Sequence, residues 1–143
     1  MKLKSPSSNM PHSIQCRVYY EDTDAGGIVY YANYLKFAER ARTEWLRRLG
    51  INQSQLTKEY GIYFVVRKVE SDFPGSARLD DLLTIETHLQ EATKVRMRMQ
   101  QIIKRDAKTL VELNTMLACI NTEGKVAKIP EAISYLITKE NIW

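Results

Sequence analysis

The chain has 143 residues, 44% of them hydrophobic and 27% charged, with a formal net charge of +4. That length makes one domain that buries about two-thirds of its extended surface, and the composition lies near globular averages. No apolar run approaches the roughly 20 residues of a membrane span, and the basic surplus carries no nucleic-acid recognition motif, so neither a membrane span nor nucleic acid is expected.

Residues 1–12 are basic and then polar and lack the apolar centre of a signal peptide. They are expected to form a mobile tail before a single domain over 13–143. Ser13 to Tyr20 reads as a strand, with Ile14, Cys16, Val18 and Tyr20 in loose alternation. A tight turn follows, Asp22-Thr23-Asp24-Ala25-Gly26-Gly27, in which the Gly pair allows close approach to the main chain. Leu35, Ala38, Ala41, Trp45 and Leu49 then recur at spacings of three and four, the apolar stripe of a helix from Tyr31 to Leu49. Gly50 is its natural stop. Glu44 and Arg48 are spaced to pair on its surface. The first N–H groups of such a helix lack internal partners and sit at the positive end of its dipole, where they suit an oxyanion. An acid before a helix also serves as an ordinary cap. A calcium loop is excluded, because Gly26 and Asn33 stand where that loop needs its fifth and twelfth ligands.

Beyond the helix, Ser54 to Tyr60 reads as a short polar helix and Ile62 to Phe73 as a strand broken by Pro74-Gly75. Leu82 to Gln90 alternates cleanly: Leu83, Ile85, Thr87 and Leu89 against Thr84, Glu86, His88 and Gln90. Lys94 to Lys104 alternates likewise, with Val95, Met97 and Met99 opposing Arg96 and Arg98. Leu110 to Asn121 is apolar on both faces, as a central strand would be. A short strand near Lys125 to Ile129 and a helix from Pro130-Glu131 through Ile137 complete the chain. One long helix against several long antiparallel strands is an α+β domain. Cys16 and Cys119 lack metal-ligand spacing and read as reduced, packed cytoplasmic thiols. His88 reads as a surface residue on a polar strand face.

The segment Tyr20 to Arg42 resembles the acyl-CoA thioesterases of the hotdog fold, and among them the 4-hydroxybenzoyl-CoA thioesterase family with its Tol–Pal-associated branch. The resemblance covers roughly Ser13 to Pro130. It rests on two pieces, Asp22-Thr23-Asp24-Ala25-Gly26-Gly27-Ile28-Val29-Tyr30 and Arg78-Leu79-Asp80-Asp81-Leu82-Leu83-Thr84-Ile85-Glu86-Thr87. It implies a curved antiparallel sheet wrapped around one long helix, paired side by side into a homodimer or stacked into a homotetramer with the active site at the dimer interface. It also implies hydrolysis of an acyl-CoA substrate without metal or redox cofactor.

The resemblance puts the catalytic carboxylate at Asp24, as nucleophile or as general base for water, and leaves Asp22 to bind the turn backbone. Gly27, Ile28 and Val29 fall on the substrate-binding turn. Backbone N–H groups from Val29 to Tyr31, Tyr31 foremost, fall at the thioester carbonyl. The Tol–Pal-associated branch usually has His where Tyr31 stands. Any acid–base role of that His does not pass to a phenol near neutral pH, whereas a backbone N–H role survives. Arg78, Lys94, Arg96 and Arg98 are candidates for the CoA phosphates, against the alternative that strand-face cations are solvated or guard an edge. Tyr30, Tyr31, Tyr34 and Phe64 suit either an aromatic acyl pocket or the core, with the core favoured for Phe64. The alternative function is a non-catalytic module that holds an acylated pantetheine arm, on CoA or acyl carrier protein, linked to envelope or phospholipid synthesis.

Overall fold

A computed structural model describes residues 11–139. The chain forms β1 (His12–Arg17), a 3-10 turn (Tyr20–Asp22), α1 (Asn33–Arg48), α2 (Gln53–Tyr60), β2 (Ile62–Asp72), β3 (Leu82–Ala92), β4 (Arg96–Arg105), β5 (Lys108–Asn121) and α3 (Glu131–Thr138). The strands make one antiparallel sheet in the order β1-β3-β4-β5-β2, which is the expected α+β hotdog arrangement.

The alternation read in the sequence decides which face meets the helix. Leu83, Ile85, Thr87 and Leu89 of β3 sit on one face with Met97, Met99, Gln101 and Ile103 of β4, and all eight are buried. Leu113, Thr115, Leu117 and Cys119 continue that face on β5. Tyr34, Phe37, Ala38, Ala41 and Trp45 recur along α1 and are buried against it. Gln101 joins the layers: fully buried, its Nε2 donates to Ala38 O at 2.8 Å and to Thr87 Oγ1 at 3.1 Å, and its Oε1 accepts from Arg42 at 3.0 Å. Gly50, at φ +87°, closes the helix in the left-handed region.

Several boundaries differ from the sequence expectation. The tail expected over 1–12 lies outside the described residues as far as position 10, and His12 already belongs to β1. β1 ends at Arg17 instead of Tyr20, because Val18 donates to Asp81 O at 2.9 Å and the Asp22 carboxylate accepts from Tyr19 N–H at 2.8 Å, turning the chain away. α1 starts at Asn33 because Tyr31 and Ala32 form the preceding turn. Lys94 falls in the β3–β4 turn, not in the strand. The short strand expected near Lys125 is a single bridge between Ile120 and Val126. Glu44 pairs with Arg47 at 3.2 Å rather than with Arg48. His88 is less open than expected: its side chain is 9% exposed and its Nε2 lies 3.5 Å from the Glu86 carboxylate, which also takes Lys104 Nζ at 2.9 Å.

Candidate active site

The Gly-Gly turn folds into a tight hairpin. Thr23 bridges Val29, Asp24 N–H donates to Ile28 O at 2.9 Å, and Gly27 N–H returns to Asp24 O at 3.0 Å. Gly27 sits at φ +79°, where a side chain strains the backbone. Gly26 is needed for another reason: a Cβ there would lie 3.1 Å from Asp24 Oδ1. That oxygen accepts from Gly26 N–H at 2.8 Å. Asp24 therefore caps its own turn with one oxygen and is exposed to solvent, while no described residue donates to its Oδ2.

The hairpin docks on the loop between β2 and β3. Ile28 bridges Arg78, and Val29 N–H donates to Ala77 O at 2.9 Å. Ala77 N–H in turn donates to the Tyr34 hydroxyl at 2.9 Å, which pins the first turn of α1 to the same residue. Burial pushes the Tyr34 phenol up, against the Ala77 N–H that favours its anion. Asp22 does the structural work expected of it. Besides accepting from Tyr19 N–H with its side chain, its carbonyl takes Tyr30 N–H at 3.0 Å and Asn33 Nδ2 at 2.9 Å. The Asp81 carboxylate closes the Arg78 turn by accepting from Arg78 N–H at 2.9 Å and from Arg105 at 2.8 Å. Burial raises its pKa, but those donors outweigh burial and hold it below the usual range.

These bonds separate the N–H groups expected at the carbonyl. Val29 and Tyr30 have spent theirs on Ala77 O and Asp22 O. Tyr31 and Ala32 have not: no described residue accepts from them, and α1 has no side-chain cap. The start of α1 thus presents two unclaimed donors at the positive end of its dipole, on the chain leaving the Asp24 hairpin. Such donors stabilise an oxyanion formed next to a carboxylate.

The other expected residues divide. Arg78 flanks the hairpin through its bridge to Ile28. Lys94 lies in the turn at the far end of β3 and Arg96 opens β4 beside it, and the 11 residues of β3 span on the order of 35 Å. Within the chain they do not meet Asp24. Arg98 pairs with Glu91 at 3.4 Å on the outer face. Phe64 packs against the core cluster around Trp45 and Leu117, one of two such clusters, the other lying around Phe37 and Leu83, as the core reading expects. Burial pushes the Cys119 thiol up. Ala77 was missed by sequence reasoning, since an alanine that works through its backbone leaves no signal. Phe73 was missed as well. Its ring lies 6.1 Å from that of Tyr31 and 5.9 Å from that of Tyr34, and an exposed aromatic just before Pro-Gly was the only available hint.

Comparison with known proteins bears on the fold and on the reaction. Residues 18–137 match the model of the thioesterase-like superfamily. The chain is 44% identical over 117 residues to acyl-CoA thioesterase YbgC of Haemophilus influenzae, covering 82% of this chain and 85% of that one. It is 40% identical over 119 residues to acyl-CoA thioester hydrolase YbgC of Escherichia coli O157:H7, covering 82% and 88%. A probable thioesterase from Bartonella henselae superposes with a TM-score of 0.80 at 41% identity, covering 84% of this chain and 99% of that one. A 4-hydroxybenzoyl-CoA thioesterase variant complexed with 4-hydroxybenzoyl-CoA superposes with a TM-score of 0.81 over 87% and 96% of the two chains. At 22% identity, that likeness concerns the fold.

Proposed function

This chain belongs to the thioesterase-like superfamily and is a thioester hydrolase, and we propose that it cleaves acyl-CoA with Asp24 as its catalytic carboxylate. The observation that carries this reading is the pair of unclaimed N–H groups at Tyr31 and Ala32 beside the Asp24 hairpin. The thioester carbonyl oxygen accepts from them. Asp24 then attacks the carbonyl carbon or takes a proton from an attacking water. The negative charge that develops on the oxygen is stabilised at the start of α1. Collapse breaks the carbon–sulfur bond and releases CoA as a thiolate, which takes up the proton given by water. Where Asp24 attacks, water then hydrolyses the acyl–Asp24 anhydride, so that in either route water supplies the oxygen of the released carboxylic acid and Asp24 is regenerated. Gly27, Ile28 and Val29 form the wall of the turn against which the thioester lies.

The CoA phosphates draw on Arg78 and, through a dimer, on Lys94 and Arg96. β2 is an edge strand of 11 residues, and Val66 and Val69 on its helix-side face are 48% and 38% exposed. An edge this long and apolar invites pairing with another chain. Antiparallel pairing of β2 with its copy about a two-fold axis brings the start of one β2 beside the end of the other. The second copy's Lys94 and Arg96 then reach the end of the sheet that carries Asp24. Equilibrium sedimentation should give at least twice the 16.6 kDa chain mass, and a monomer at working concentration would remove the shared site. By the family resemblance we assign the enzyme to the cytoplasm and to the Tol–Pal-associated branch, with acyl carrier protein as a second acyl donor.

Free-thiol release from short-chain, long-chain and hydroxybenzoyl CoA esters, alongside an acylated carrier protein, tests the reading. Turnover of at least one CoA ester is expected. Turnover confined to the carrier protein would reassign the donor. Binding of all of them without turnover would leave only a module that holds acyl carriers.

A further inference from the structure

We propose that Phe73 selects the acyl group: its ring and that of Tyr31 form an aromatic wall on which the acyl portion of the thioester rests. This deepens the reading above and rests on Tyr31 N–H as the carbonyl donor.

Register explains why Phe73 stands where it does. Along β2, Val69 and Ser71 pair with Thr115 and Leu113, both on the buried face. Two residues on from Ser71, Phe73 keeps that parity just past the end of the strand, on the helix side of the sheet. Its ring meets Tyr31 edge-on, at 87° between planes, and tilts against Tyr34 at 45°. Tyr34 is buried and fixed through its hydroxyl to Ala77, the residue that also receives Val29 N–H. The wall is therefore tied to the same anchor as the Asp24 hairpin.

The wall is not used by the fold. Phe73 is 44% exposed, Tyr31 62% and Tyr30 47%, the last with its ring 5.0 Å from that of Tyr31. Neither Phe73 nor Tyr31 belongs to either core cluster. Three large rings left open beside one another, at the residue whose N–H is unclaimed, form an apolar surface continuous with the reacting centre. Two parts of the substrate leave the carbonyl carbon. The pantetheine arm is amide-rich and ends in phosphates, which belong near Arg78 on the flank of the hairpin beside Ile28. The acyl group is apolar and matches the rings on the helix side. A thioester whose oxygen sits on Tyr31 N–H brings the first carbons of its acyl chain to the side chain of that same residue.

The test pairs binding with turnover. CoA thioethers carrying S-methyl, S-hexyl and S-benzyl groups are titrated by calorimetry into the full chain and into Phe73→Ala. Specificity constants are measured in parallel for acetyl-, hexanoyl- and benzoyl-CoA. Phe73→Ala should weaken the hexyl and benzyl thioethers about tenfold and the methyl one less than twofold, with the same pattern in kcat/KM. Phe73→Trp should restore the preference, and circular dichroism with sedimentation confirms that each variant keeps fold and assembly. Equal loss on all three ligands, or no loss on any, would overturn the proposal. Chain-length-dependent binding lost in Phe73→Ala, with no ester hydrolysed by the native protein, would keep the wall and remove the hydrolase. Hydrolysis with an unchanged hexanoyl-to-acetyl ratio would do the reverse.

Discussion

Asp24→Asn should fold like the native chain, bind acyl-CoA with similar affinity and release thiol about a thousandfold more slowly. The folding half of this result follows from the turn. Asp24 uses Oδ1 to accept from Gly26 N–H at 2.8 Å, and an asparagine carbonyl oxygen accepts that bond in the same place. The main-chain bonds of the hairpin, from Asp24 N–H to Ile28 O and from Gly27 N–H to Asp24 O, do not involve the side chain. A capping role alone is therefore preserved by the substitution, and a catalytic one is not. An amide neither attacks a thioester usefully nor takes a proton from water near neutral pH. Asn also keeps the volume, so Gly26 faces no new crowding. The loss should appear in kcat with KM little changed, because no binding contact is removed. Full activity in a folded Asp24→Asn protein would return Asp24 to the role of a cap and move the search for the base to another carboxylate.

How far the sequence could be read depended on the range of the interactions involved. β3 and β4 alternate with a period of two, and the stripe on α1 repeats every three or four residues, so each element declares its own buried face. The inner faces of β3 and β4 match the sequence pattern from Leu83 to Leu89 and at Met97, Met99 and Ile103, with Gln101 added among them. On α1 the stripe holds at Ala38, Ala41, Trp45 and Leu49, but Leu35 is exposed and Tyr34 and Phe37 take the buried side in its place. The hairpin was legible because two acids and two glycines sit within six positions. The end of β1 was not, because it is set by Asp81, 63 positions beyond Val18. The joint at Ala77 stayed hidden for the same reason: Tyr34 is 43 residues away, and alanine carries no side-chain signal. Lys94 and Arg96 were attractive by charge and by the basic groups that the resemblance implies near this part of the sheet. Charge says nothing about which end of a strand a residue occupies, and β3 carries them away from Asp24. Tyr31 was singled out by resemblance. The structure adds the physical reason that its neighbours Val29 and Tyr30 have already spent their donors.

Gln101→Leu should lower the melting temperature by about 10 °C, corresponding to about 3 kcal/mol of stability. Gln101 has no exposed surface, and three partners depend on it. Ala38 O and Thr87 Oγ1 each lose a donor, and the Arg42 guanidinium loses the acceptor 3.0 Å away. The last loss dominates. Burial already pulls the Arg42 pKa down, with only the field of Glu39 opposing it, and no described carboxylate forms an ion pair with Arg42. A cation set into the groove between α1 and β2 without an acceptor costs more than a neutral group in the same place. The double variant Arg42→Met with Gln101→Leu isolates this cost, because it removes the charge together with its acceptor. It should melt above Gln101→Leu alone, although it carries one more substitution, and the coupling should exceed about 1 kcal/mol. A Gln101→Leu protein melting within about 2 °C of the native chain would mean that water enters the groove and satisfies Arg42. Strictly additive effects would mean that the cost lies in Ala38, where Gln101 fastens the helix to the sheet, and in Thr87, its neighbour on β3.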